Sequence, residues 1–120
     1  MKKTIKSTGL LIAAFCFALF ANAQSSEISD SVMVNGNCGS CKKNIEKSAM
    51  NAGATFAMWN KQTKMLNLKF DPAKTNRQKI ENQIAAKGYD TENAKASDDA
   101  YYKLEECCQY DRKDLKTKKL

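Results

Sequence analysis

An α+β fold, with two helices on one face of a small antiparallel sheet, is what this sequence predicts. Three observations point to it. Leu66, Leu68 and Phe70 alternate with Met65, Asn67 and Lys69, the period-two signature of a half-buried strand. Two segments carry apolar residues at helical spacing, and each runs into a glycine, Gly53 or Gly88. Between residues 30 and 93 the elements fall in the order strand, helix, strand, strand, helix, strand.

The first strand opens near Asp30, with Val32 and Val34 on one face and Met33 on the other. Gly36 and Gly39 then bracket Cys38 in a loop. A helix is expected from about Ser40. Its buried stripe is Cys41, Ile45, Ala49 and Ala52, while Lys42, Lys43, Glu46 and Lys47 lie off it. A short run of residues 55–60 holds Phe56 and Trp59, the latter read as a core or sheet-face residue. Residues 60–63 read as a turn, so this run and the alternating strand form a hairpin that Asp71 and Pro72 end. The second helix is expected over residues 76–87, with Thr75 as N-cap and Ile80 and Ile84 buried. Residues 89–93 make a last edge strand. This order is the split βαβ arrangement, βαββαβ, called ferredoxin-like.

The flanks read differently. Lys2, Lys3 and Lys6 precede an apolar run over residues 10–20, and Ala21-Asn22-Ala23 has the small-x-small pattern of a signal-peptidase site. The run is short for a membrane span, which needs about 20 residues, so residues 1–23 are expected to be a cleaved signal peptide and not an anchor. Phe15 before Cys16 argues against lipidation, and Cys16 is expected to leave with the leader. Cleavage leaves 97 of the 120 residues, one small domain, and the loss of three lysines lowers the formal charge from +7 to +4. Export and this mild charge argue against nucleic acid as a partner. The expected organisation is a leader at 1–23, a domain at 24–96 and a tail at 97–120. In the tail, Ser97-Asp98-Asp99 caps a short helix that runs through Tyr101 and Leu104 towards Cys107 and Cys108, before a basic end.

The chemistry resides in the cysteines. Cys38 and Cys41 stand three positions apart where a strand turns into a helix, and Cys107 and Cys108 are neighbours. Two tight pairs suit a site better than a scaffold of spread disulfides. With no His in the chain, a soft-metal site has to be built from sulfur. A helix start favours thiolate over thiol, and Lys42, Lys43 and Lys47 add positive charge. Two thiolates satisfy Cu(I) or Hg(II), whereas Zn(II) prefers four ligands. The same Cys-x-x-Cys spacing also describes thiol–disulfide enzymes and inert disulfides. Against an enzyme of the thioredoxin type, Asn37 and not an aromatic residue precedes Cys38, and the single proline, Pro72, follows a hairpin strand. Met33, Met50, Met58 and Met65 form no dense methionine motif and read as packing or surface residues.

Residues Gly36-Asn37-Cys38-Gly39-Ser40-Cys41, with Ile45-Glu46 on the following helix, Gly53 after it and Lys87-Gly88-Tyr89 after the second, resemble the heavy-metal-associated domain. That family includes copper chaperones, modules of copper-exporting ATPases and the periplasmic mercury-binding protein. The loop is one residue shorter than the family's Gly-Met-Thr-Cys-x-x-Cys and lacks its Met. The resemblance implies Cys38 and Cys41 as metal ligands, with Cu(I) first and Hg(II) or Zn(II) as the other candidates. It implies Tyr89 beside the loop as a shield. It also implies a lysine face that docks a membrane metal transporter or another metal-binding domain. A monomer without stable membrane association after leader cleavage is expected, acting as carrier or store in the periplasm or outside the cell. A small periplasmic thiol–disulfide oxidoreductase is the alternative.

The tail is not part of the classic domain. A disulfide between adjacent cysteines is strained, so Cys107 and Cys108 are expected either to ligate the same ion or to bridge elsewhere. From residue 96 to 107 a helix rises about 16 Å at ~1.5 Å per residue, enough to return along one strand length to the loop.

Overall fold

The structure is a computed structural model, and it describes residues 26–112. The leader and the basic C-terminal end anticipated above lie outside the described residues. Three strands, β1 (Ile28–Met33), β2 (Phe56–Trp59) and β3 (Met65–Phe70), form an antiparallel sheet in the order β1-β3-β2. Helices α1 (Gly39–Asn51) and α2 (Arg77–Ala86) pack on one face of it. A short helix α3 (Asp98–Tyr102) and a 3-10 turn (Glu106–Cys108) follow. None of the described helices is long and apolar enough to cross a membrane.

The register places the apolar positions on the helix side. Val32 pairs with Leu66, and Leu66 also pairs with Trp59; Leu68 pairs with Ala57. Val32, Leu66 and Leu68 close against Ile45, Ile80 and Ile84 to make the buried core. This is the ferredoxin-like arrangement expected from the sequence. The hairpin strand over Met65–Phe70 and its partner stand where the alternation put them.

Two details depart from expectation. The N-cap of α2 is Asn76, whose side chain accepts from the Lys79 N–H at 2.9 Å. Thr75 instead donates its hydroxyl to the Ala52 carbonyl at 2.7 Å, satisfying the end of α1. The last edge strand is reduced to one bridge, Val34 to Thr91. There the chain turns back at once: the Thr91 N–H donates to the Ala94 carbonyl at 2.7 Å. The buried Glu81 carboxylate holds that turn, accepting from the Thr91 hydroxyl at 2.7 Å and the Asn93 N–H at 3.1 Å. A side chain that binds the backbone locally competes with ladder pairing, and here it wins.

Two glycines end the helices with left-handed backbone, Gly53 at φ 109° and Gly88 at φ 112°. Gly88 also brings the tail close. A Cβ on it would lie 2.7 Å from the Ala100 carbonyl oxygen and 2.9 Å from the Leu104 side chain. The bare backbone at Gly88 is thus the seat on which the tail turns back towards α1.

Candidate metal centre

Cys38 is the N-cap residue of α1, with extended backbone (φ −134°, ψ −179°). Its sulfur therefore sits at the helix end where backbone N–H groups have no intrahelical partner. Cys41 lies in the first turn, on the stripe shared with Ile45 and Ala49, and is fully buried. The two sulfurs are 3.3 Å apart.

The tail brings two more. Its 3-10 turn places the Cys107 sulfur 3.2 Å and the Cys108 sulfur 3.6 Å from that of Cys38. A disulfide needs about 2.05 Å, and all four are free thiols. The sulfurs of Cys38, Cys41 and Cys108 lie within 4.8 Å of one another. Cys107 is exposed at the rim and Cys108 is fully buried. Of the sequence-predicted site residues, all four cysteines thus converge. The loop pair is not open to solvent. Cys41 points into the core with its helical stripe, and the tail covers Cys38, which is only partly exposed.

Tyr89 stands beside the cluster, fully buried, its hydroxyl accepting from Asn44 at 3.0 Å. Residues not anticipated from sequence hold the tail in place. Tyr110 accepts from the Asp90 N–H and donates to the Gly88 carbonyl, both at 2.8 Å. The Arg112 guanidinium grips the buried Asp90 carboxylate at 3.0 and 3.1 Å, reaches Asp98 at 3.0 Å, and donates to the Ala96 carbonyl at 3.0 Å. Tyr101 donates to the Tyr110 carbonyl. The available signal was Tyr110 and Arg112 just after the vicinal cysteines.

The electrostatics single out one sulfur. Burial opposes ionisation of Cys38, yet the Cys41 N–H and the thiols of Cys107, Cys41 and Cys108 hydrogen-bond to it and bring its pKa from 9.0 down to about 6. Donation to Cys38 raises the Cys107 thiol. Burial, with donation to Cys41 and Cys38, raises Cys108. Cys38 is thus favoured as a thiolate at neutral pH, accepting from its neighbours. A group with a depressed pKa adds stability that is complete above pH 9 and gone below about pH 6. Alkylation of the reduced protein by iodoacetamide, followed peptide by peptide in a mass spectrometer, should show Cys38 reacting at a plateau rate by pH 7.5. Its half-point should fall near pH 6. A half-point above pH 8 would refute the assignment of the anion to Cys38.

The donor set is wholly sulfur. It suits a soft thiophilic ion and offers a hard cation no oxygen or nitrogen ligand within the cluster. Met33, Met50 and Met58 are exposed.

No protein-family model matches the chain, and no curated protein matches it by sequence. Solved structures do. The CopZ metallochaperone is 27% identical with a TM-score of 0.51, the match covering 53% of this chain and 98% of that one. Oxidized MerP from Ralstonia metallidurans CH34 is 25% identical with a TM-score of 0.52, covering 55% of this chain and 94% of that one. The water-soluble region of the P-type ATPase CopA from Bacillus subtilis is 31% identical with a TM-score of 0.52; there the match covers 57% of this chain and 46% of that one. A copper-binding domain from HMA7, a P-type ATPase, is similar at 26% identity. Nearly half of this chain has no counterpart in these neighbours.

Proposed function

Because the chain is a heavy-metal-associated domain protein, similar to copper chaperones and MerP, we propose that it is an exported protein binding one soft ion, Cu(I) before Hg(II), through Cys38 and Cys41. The observation that carries this reading is the Cys38 sulfur at the start of α1, 3.3 Å from the Cys41 sulfur, where its neighbours favour the thiolate. Metal binding requires thiolates and releases their protons. A sulfur already ionised at neutral pH removes half of that cost. Zn(II), which prefers four ligands, is the poorer fit to a loop pair. Export rests on the leader pattern of residues 1–23.

The ion is cargo, moved by ligand exchange: a partner thiolate enters before a resident sulfur leaves. The neighbours that are parts of P-type ATPases support a membrane metal transporter or another metal-binding domain as the partner class. Lys43 and Lys47, exposed on α1, are suited to docking an acidic partner face.

Titrating the reduced protein with Cu(I) against a competing chelator tests this. One equivalent should bind with sub-micromolar affinity. Absence of such binding would overturn the proposal. Catalytic turnover in an insulin-reduction assay would establish the thiol–disulfide enzyme in its place.

A further inference from the structure

We propose that the tail completes the site: Cys108 is a third ligand to the ion held by Cys38 and Cys41, and Cys107 is the rim thiol through which the ion is exchanged. This rests on the metal-binding reading above and deepens it, because a two-sulfur carrier and a three-sulfur store behave differently.

Three observations carry the inference. First, the sulfurs of Cys38, Cys41 and Cys108 come from a loop, a helix and a tail, yet share one space within 4.8 Å. Three sulfurs each about 2.3 Å from one ion stand about 4 Å apart. The present separations of 3.3 and 3.6 Å therefore need to widen by about 0.7 and 0.4 Å. Second, the tail is fastened independently of any ion. Tyr110 bonds the backbone on either side of Tyr89, and Arg112 pairs with the buried Asp90. Leaving Asp90 unpaired would be costly, so the tail stays down and the third sulfur is prepositioned. The ordering entropy of the tail is met by these contacts and not by the ion. Third, the two vicinal cysteines are divided by environment. Cys108 is buried, whereas Cys107 is exposed, 3.2 Å from Cys38 and outside the three-sulfur group. A thiol in contact with both solvent and a ligand sulfur is where an incoming carrier would meet the ion.

The closed set makes retention the main task, with delivery gated through Cys107. X-ray absorption on the Cu(I)-loaded wild-type protein should count three sulfur neighbours. Cys108→Ser should leave two, and Cys107→Ser should keep three. Release of Cu(I) to a competing dithiol should speed up at least about tenfold in Cys108→Ser, since loss of an outer-shell partner alone costs 10–100-fold. In Cys107→Ser it should slow. Circular dichroism confirms that each variant is folded, and Tyr110→Phe, which keeps every thiol but loosens the tail, should also accelerate release. Two sulfurs in the wild-type protein, unchanged in Cys108→Ser, would overturn the inference while leaving two-thiolate binding intact. Four sulfurs falling to three in Cys107→Ser would overturn the exchange role. Failure of the wild-type protein to bind Cu(I) at all would instead overturn the reading on which it rests.

Discussion

Cys38→Ser is expected to weaken Cu(I) binding at least about 100-fold, the upper end of what an outer-shell substitution alone costs. Cys38 is the hub of the cluster, with the sulfurs of Cys41, Cys107 and Cys108 at 3.3, 3.2 and 3.6 Å. A serine hydroxyl stays protonated at neutral pH and is a hard donor, so the substitution removes both the charge and the softness that the ion requires. The position is also a clean one to test. Cys38 is partly exposed and in extended backbone at a helix N-cap, where serine is a favoured residue. The fold should therefore survive, losing only the pH-dependent stability of the Cys38 anion, and a lost affinity reports ligation. Cys41→Ser would lose affinity too. It would also bury a hydroxyl in the core beside Ile45, mixing a folding penalty of about 1–3 kcal/mol into the result. Competition with a chromogenic Cu(I) chelator under reductant measures the effect. An affinity for Cys38→Ser within about threefold of wild type, inside the noise of an RT-sized change, would remove Cys38 from the ligand set.

Trp59→Ala is expected to cost about 3–5 kcal/mol of folding free energy. That is a large share of a small domain's stability of about 5–15 kcal/mol. Trp59 is the largest fully buried side chain, 1% exposed. Its ring fills the space between the β1–α1 loop and the sheet, with atoms about 3.1 Å from where a Cβ on Gly36 would stand. Its indole N–H donates to the Val34 carbonyl at 3.0 Å, and truncation would orphan that buried acceptor. Its backbone is pinned as well, donating to Glu46 at 2.9 Å and accepting from Lys42 at 3.1 Å. The residue thus ties β2 to α1 directly beneath the loop that carries Cys38. Urea unfolding under reductant, followed by far-ultraviolet circular dichroism because the only tryptophan is lost, should show the midpoint collapse. A loss below about 1 kcal/mol would mean that the core closes without it.

Much of this was legible in the chain. Leu66, Leu68 and Phe70 declare a strand because a pleat puts alternate side chains on one face. Cys41 and Ile45 declare a buried helical stripe for the same kind of reason, and that stripe already implied that the Cys41 sulfur faces inwards. Less legible were the places where a polar side chain overrides periodicity. Asn76 rather than Thr75 caps α2, because Thr75 is taken by the end of α1. The last edge strand stops at one bridge, because Glu81 holds the turn after it. Neither competition shows in local sequence, since the winning partner lies on another element.

The candidate site divides along the same line. Sequence alone determined that two thiols stand at a strand-to-helix turn in a chain without histidine, hence that any soft ion must be met by sulfur. Spacing and helix geometry are local, and they carry that much. Only tertiary structure decided where Cys107 and Cys108 go, since helix rise bounds their reach but not their direction. Direction comes from Tyr110 and Arg112 closing on Gly88 and Asp90, some twenty residues away in the chain. Contacts between distant segments form when burial and charge pairing outweigh the entropy of closing the loop between them, a balance struck in three dimensions.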